Sequence, residues 1–123
     1  MNLIDDVPRP YRKTDYRIRF TNREAAKGWR DLVATARNSA ATAWDFLTVS
    51  PTERGTTCYP LSQDLEHVII HGKAYVRWQY KPTNGGRIWY AVLPADKGDK
   101  LAGIVAVERV TTGHPNETLK NHR

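Results

Sequence analysis

Apolar and polar residues repeat in patterns that predict one strand followed by two helices. Residues 16–20 alternate apolar and basic, which is typical of a half-buried strand with Tyr16, Ile18 and Phe20 inside. Thr21 to Glu24 then fits a capping box at a helix start. The first helix has an apolar stripe at helical spacing, made of Ala25, Trp29, Leu32, Val33 and Ala36.

A second helical stripe follows at once. Asn38–Ser39 offers a helix start, and Pro51 ends the helix. The apolar positions of this second stripe are Ala40, Ala43, Trp44 and Leu47. Because the break between the two stripes is short, the pattern predicts a helical hairpin.

The later half of the chain predicts strands. Residues 74–81 alternate, residues 87–93 follow a turn, residues 101–110 follow a polar loop, and 68–70 is a short candidate. The alternation over 74–81 separates Ala74, Val76, Trp78 and Tyr80 from Tyr75, Arg77, Gln79 and Lys81. The order predicts an α+β domain with a helical hairpin packed on one face of a mainly antiparallel sheet of three to four strands.

The turn residues between 81 and 87 set the register between the predicted strands 74–81 and 87–93. A two-residue turn at Asn84–Gly85 would place Arg87 on the apolar face, whereas a three-residue loop at 84–86 pairs Thr83 with Arg87. We expect the second register, because the first would bury an arginine. It gathers on the polar face three bases and two aromatic residues together with Gln79, namely Arg77, Lys81, Arg87, Tyr75 and Trp89.

Length and composition limit the protein class. The chain has 123 residues, 40% of them apolar and 26% charged, as expected for a single globular domain. No apolar run could span a bilayer, no secretory leader is recognisable, and the lone Cys58 excludes an internal disulfide, so we expect a cytoplasmic protein with no membrane association. The expected organisation is an N-terminal arm (1–15), a domain (16–116) and a tail (117–123).

The charge distribution points to a polyanion. The net charge is +6, and residues 67–95 contain no acid. Bases and aromatic residues interleave in that window, where Lys73, Arg77, Lys81 and Arg87 alternate with tyrosines and tryptophans. Bases neutralise phosphates and flat rings stack on unpaired bases. The alternative is a half-buried hairpin with a solvated basic face.

Metal and cofactor chemistry find no support in the sequence, and we expect neither a metal nor a cofactor. The acid-free window disfavours a two-metal nuclease on these strands, and His67 and His71 flank a predicted strand. RNA cleavage without a metal uses the 2′-hydroxyl and needs a proton acceptor, a proton donor and cations. His114 follows the last predicted strand, and a histidine side chain can serve as acid or base near neutral pH; the alternative is an ordinary loop histidine.

The segment 86–92 (GRIWYAV), the last predicted strand and Thr112–Pro115 together resemble the RelE/ParE superfamily of type II toxin–antitoxin toxins. The resemblance covers residues 16–116. It implies a RelE/ParE-like toxin domain, a small toxin neutralised by a cognate antitoxin, and a toxin–antitoxin complex of 1:1 or higher order. In the RelE/YoeB-like branch it implies an mRNA interferase, an endoribonuclease that cuts mRNA on the ribosome.

The resemblance also implies roles for single residues. Arg87 stands where the family stabilises the phosphate, and His114 stands near the catalytic histidine of YoeB-like members. Arg77 and Lys81 match basic residues of the preceding strand. Independently of the resemblance, the basic and aromatic pattern assigns further RNA contacts to Lys73, Tyr75 and Trp89.

The sequence does not assign one residue as the general base that removes the proton of the 2′-hydroxyl. The segment 59–65 resembles the YoeB-type segment that carries a glutamate, but Tyr59 occupies that position and Ser62 stands where a lysine is expected. Three carboxylates are alternatives, Glu53, Glu66 and Glu108, and a further alternative is that His114 acts without a carboxylate partner. Two other functions remain, a ParE-like inhibitor of DNA gyrase and a non-toxic RNA-binding or interaction domain on the same scaffold.

Overall fold

The computed structural model describes residues 1–113 and contains a five-stranded sheet, a two-stranded hairpin, two α-helices and a short 3-10 helix (Gln63–Leu65). The elements are β1 (Tyr16–Phe20), α1 (Arg23–Thr35), α2 (Arg37–Val49), β2 (Cys58–Pro60), β3 (His67–Ile70), β4 (Lys73–Val76), β5 (Trp78–Tyr80), β6 (Arg87–Leu93) and β7 (Gly103–Thr111). The large sheet has the order β1-β7-β6-β5-β2, with β1 parallel to β7 and the other pairs antiparallel. This confirms the predicted α+β class.

The two helices pack on one face of the large sheet through the predicted stripes. Ala25 and Leu32 of α1 are fully buried, and so are Ala40, Ala43 and Leu47 of α2. They form one core with residues of the central strands, including Ile88, Tyr90, Val105 and Val107. Phe20, predicted to be inside, remains 42% exposed at the end of β1.

Both helices begin differently from the sequence prediction. Asn22, and not Thr21, caps α1, because its Oδ1 accepts a hydrogen bond from the amide of Ala25 at 2.7 Å. The Thr21 hydroxyl instead donates to the carbonyl of Val107 at 3.2 Å, which ties the helix start to β7. α2 begins at Arg37 without a side-chain cap.

The predicted strand over residues 74–81 is broken at Arg77. The Arg77 amide donates to the carbonyl of Glu66, and its carbonyl accepts from the amide of Leu61, each at 2.8 Å. Because loop residues take these main-chain bonds, β4 and β5 belong to different sheets. β4 pairs with β3 instead, and its Val76, predicted to be inside, is exposed.

The β5–β6 hairpin keeps the predicted faces but not the predicted loop. Gln79 pairs with Trp89 and Tyr80 with Ile88, so residues 81–86 form a longer loop than either alternative. A hydrogen bond from the Gly86 amide to the Thr83 hydroxyl, 2.8 Å long, holds this loop. The shift is an even number of residues, and Trp89 therefore shares a face with Gln79 as predicted.

A buried polar cluster closes the core where α2 ends. The Tyr90 hydroxyl donates to the carbonyl of Pro51 at 2.6 Å and lies 3.2 Å from the sulfur of Cys58. Burial raises the pKa of the Tyr90 hydroxyl above its ordinary value of 10.0 and the pKa of the Cys58 thiol above 9.0. Both groups therefore stay protonated in the native protein at neutral pH.

This cluster predicts loss of stability at alkaline pH. The unfolded chain releases the two protons at lower pH than the native chain, so the free energy of unfolding should fall as pH rises above 9.0. In Tyr90→Phe, we expect the free energy of unfolding to fall by about 2 kcal/mol at neutral pH, because the Pro51 carbonyl keeps only the longer contact from the Cys58 sulfur, at 3.7 Å. We also expect a shallower decline above about pH 9. Urea unfolding across pH measures both effects. Tyr11→Phe changes an exposed tyrosine and should leave the pH dependence of the free energy of unfolding as in the wild type. The same pH dependence in both variants would show that the Tyr90 hydroxyl does not cause the alkaline decline.

Candidate nucleic-acid interface

The sheet face turned away from the helices, here called the outer face, presents polar and aromatic side chains. Strand β6 alternates, so Ile88 and Tyr90 enter the core while Arg87 and Trp89 point to the other side. Neighbouring strands add side chains in register with Trp89, namely Tyr59 from β2, Gln79 from β5 and Arg109 from β7.

A chain of hydrogen bonds fixes the Trp89 ring on the outer face. Its Nε1 donates to Oε1 of Gln79 at 2.8 Å, and Nε2 of Gln79 donates to the hydroxyl of Tyr59 at 2.8 Å. Gln79 is buried, so its amide is held between the two rings. The row crosses three neighbouring strands and gives both rings a fixed position.

Cations lie against both rings. The guanidinium carbons of Arg77 and Arg109 lie 5.4 and 5.3 Å from the centroid of Trp89. The Nζ of Lys81 lies 5.2 Å from the centroid of Tyr59. At these distances the negative ring face attracts the cation. The outer face thus combines flat surfaces with positive charge.

A β-bulge gives Arg77 a carboxylate partner. Trp89 pairs with Arg109 and Tyr90 with Val107, so Glu108 has no partner on β6. Its carboxylate accepts two hydrogen bonds from Arg77, at 2.6 and 2.7 Å. This ion pair balances the charge of Arg77 and orients its guanidinium beside the indole.

Arg87 organises the loop that joins β5 to β6. Its Nη1 donates to the carbonyls of Gly86, Asn84 and Thr83 at 2.6, 2.9 and 3.4 Å. All of its side-chain hydrogen bonds to residues 1–113 come from this one nitrogen. Nε and Nη2 are therefore the donors that Arg87 can offer to an anion.

The structure gathers only some of the predicted site residues. Arg77, Lys81, Arg87 and Trp89 lie on or beside the outer face, as the previous contacts establish. Lys73 and Tyr75 lie on β4, in the second sheet; β4 itself contacts β6, but within residues 1–113 no hydrogen bond or ring contact joins either side chain to the Trp89 row. The candidate catalytic His114 lies outside the described residues.

Of the three glutamates considered as general bases, Glu108 lies at this face. Glu66 instead lies 3.4 Å from Nδ1 of His67, in the segment that leads into β3. Glu53 is an exposed loop residue, and its amide donates to the carbonyl of Ser50. Glu108 is therefore the carboxylate that contacts a predicted site residue.

Sequence reasoning missed Tyr59, Gln79 and Arg109 as site residues. The strand β2 was too short to stand out from its loop, so the sequence named Tyr59 only as a departure from the YoeB-type segment and did not place it beside Gln79. Gln79 was placed on the polar face but was given no role. Arg109 had a sequence signal: Val105 and Val107 are two positions apart, but the next apolar residue, Val110, is three positions further on, and this break in alternation indicates a bulge.

The hydrogen bonds of Arg87 to the loop predict that it contributes to the stability of the fold, in addition to any binding of an anion. Arg87→Ala removes the donor shared by three loop carbonyls, so we expect the free energy of unfolding to fall by about 1–2 kcal/mol. Lys81→Ala, which removes a neighbouring base without such bonds, should cost less than about 0.5 kcal/mol. Urea denaturation measures both. Equal stability of the two variants would show that the loop does not depend on Arg87.

Neither a metal site within residues 1–113 nor a similarity to known proteins indicates what the outer face binds. Within residues 1–113, no three His, Cys, Asp or Glu side chains lie close enough together to hold a metal ion. In the same part of the chain, no helix has the length and apolar character needed to cross a membrane. Comparisons of the chain with protein families, curated proteins and solved structures found no match.

Proposed function

We propose that the chain is the toxin of a type II toxin–antitoxin system, with a RelE/ParE-like fold. In this proposal it is a cytoplasmic, metal-independent endoribonuclease that cleaves mRNA on the ribosome and is neutralised by its cognate antitoxin. The RNA lies on the outer face. The observation that carries the proposal is the fixed Trp89 ring with two guanidinium groups within 5.4 Å of its centroid.

The outer face has the chemistry of a single-stranded RNA interface. Unpaired bases stack on aromatic rings and on guanidinium planes, and both are present at Trp89 and Arg109. Among residues 1–113, no carboxylate forms an ion pair with Lys81, Arg87 or Arg109. These charges are therefore able to replace counterions on a phosphate backbone.

The cleavage step of this proposal requires three groups. The 2′-oxygen of the RNA attacks the adjacent phosphorus as a base removes its proton, and the 5′-oxygen leaves with a proton from an acid. The products are a 2′,3′-cyclic phosphate and a 5′-hydroxyl. Nε and Nη2 of Arg87 would donate to the phosphate oxygens as charge develops. The assignment of His114 as acid or base rests on the family resemblance.

A second candidate is an RNA-binding domain without nuclease activity. It is favoured by the contacts of the two arginines assigned to catalysis, because Arg77 is paired with Glu108 and Arg87 is bound to loop carbonyls. Both candidates use the outer face for RNA. They differ in whether phosphodiester bonds break.

Substitutions on the outer face test the shared claim of RNA binding. In Trp89→Ala we expect the affinity for a single-stranded oligonucleotide to fall about tenfold or more, because one stacking surface is lost. In Arg109→Ala we expect weaker binding and a salt dependence shallower by about one unit of slope. Fluorescence anisotropy over a salt series measures both. Arg30→Ala, which removes an exposed base on α1, is the matched control; equal losses there would indicate non-specific attraction to a basic protein.

Mapping mRNA 5′ ends in a cell-free translation reaction tests the nuclease claim. We expect new ends that require both ribosomes and the chain, and their loss in Arg87→Ala at a temperature where that variant remains folded. His114→Gln should lower the cleavage rate about 10²-fold or more if this residue transfers a proton. RNA binding without new ends would support the second candidate. Inhibition of gyrase supercoiling without RNA binding would contradict both.

A further inference from the structure

The first eight residues carry large apolar side chains that their own chain does not cover. Leu3, Ile4 and Val7 are 96%, 88% and 93% exposed, and Met1 is also fully exposed. Single exposed apolar residues are common on proteins, but a run of them in an eight-residue segment forms a surface suited to association. Asp5 and Asp6 give the same segment a negative charge.

The anchor of this segment lies against α2. Nη1 of Arg9 forms an ion pair with Asp45 at 2.9 Å, and the guanidinium lies 4.6 Å from the ring centroid of Trp44. Tyr11 lies 6.4 Å from the same indole, centroid to centroid. Residues 9–11 are therefore held on the helix, whereas residues 1–8 extend from it.

An apolar groove of about 420 Å³ begins at this anchor. Apolar side chains of α1 and α2 form its floor, and the charged Arg37 lies at its edge. The floor includes Trp29, Val33, Ala41 and Trp44. Arg37 forms no ion pair with any residue between 1 and 113. The groove thus offers an apolar floor and an unpaired cation to a segment that is apolar and acidic.

The sequence at the anchor favours exchange between copies over folding back. Arg9 stands between Pro8 and Pro10, and both prolines restrict φ while Pro10 also restricts Arg9 to extended conformations. The large apolar residues of the segment are all at least 88% exposed, so the segment does not lie in its own groove, and a stiff spacer restricts its return. Exchange of identical segments between two copies is a low-cost route to a symmetric dimer.

We propose that the chain forms an arm-exchanged dimer, in which residues 1–8 of each copy lie in the α1–α2 groove of the other. Leu3, Ile4 and Val7 cover the apolar floor, and the Asp5–Asp6 pair faces Arg37. The groove is on the helix side of the sheet, opposite the outer face. The dimer is therefore independent of the proposed RNA binding.

Sedimentation equilibrium of the full chain over a wide concentration range tests this dimer. We expect reversible dimerisation that is weakened about 100-fold or more in the triple variant Leu3→Ser, Ile4→Ser, Val7→Ser and in Ala41→Glu. Ala34→Glu, which places the same charge on an exposed α1 position outside the groove, should leave the dissociation constant unchanged.

Mixing the two defective variants identifies the contact. The intact arm of the Ala41→Glu chain should bind the intact groove of the triple variant, so the mixture should associate more strongly than either variant alone. A chain that is monomeric at every concentration overturns the proposal, and so does a dimer that survives the arm substitutions. Unchanged RNA affinity in both variants is expected and separates this test from that of the outer face.

A spin label distinguishes exchange from folding back. One copy carries a nitroxide at Asn2→Cys and no ¹⁵N, and the other copy carries ¹⁵N and no nitroxide. When they are mixed, we expect broadening of the amide signals near Val33 and Ala41 in the ¹⁵N-labelled copy. In a second sample, one chain carries both the nitroxide and ¹⁵N. Broadening of its own amide signals at a concentration where it is monomeric, with no broadening in the ¹⁵N-labelled partner of the first sample, would place the arm in its own groove and overturn the proposal.

Discussion

The alternation of side chains along β6 is the constraint on which the core and the candidate site both depend. Ile88 and Tyr90 are completely buried beneath the helices, and the residues between and before them, Trp89 and Arg87, point to the outer face. A register slip of one residue would bury the arginine and expose the tyrosine. The hydrogen-bonded pairing of β6 with β5 and β7 prevents that slip, so core stability and the position of Trp89 are coupled.

The helices leave the outer face uncovered because they pack closely on the opposite side. α1 lies so near β7 that a Cβ at Gly28 would overlap the carbonyl oxygen of Val110. The cap at Asn22 and the Thr21 hydroxyl tie the start of the same helix to β7. With both helices on one side, the bulge at Glu108 directs polar side chains to the other. One sheet thus carries a hydrophobic core and a cationic aromatic surface.

The periodicity of apolar residues predicted the elements that bury one face. It did not predict features that depend on contacts between residues distant in sequence. The helical stripes followed from spacing, and the face of Trp89 followed from alternation together with the cost of burying Arg87. The break at Arg77 did not, because it depends on main-chain bonds to Leu61 and Glu66. The ion pair of Arg77 with Glu108 was also out of reach, since it joins positions 31 residues apart across a bulge. The local sequence pattern therefore indicates which side of a strand a residue faces. Which residue it contacts on another strand can be seen only in the folded structure.

The indole Nε1–H of Trp89 offers the most direct measurement of whether RNA occupies the outer face. Its nuclear magnetic resonance signal reports on the hydrogen bond to Gln79, while the signals of Trp29 and Trp44 report on the helix side. On titration with a single-stranded oligonucleotide, we expect the Trp89 signal to shift in proportion to binding and the other two to stay in place. A shift of Trp29 and Trp44 with Trp89 unchanged would contradict the account.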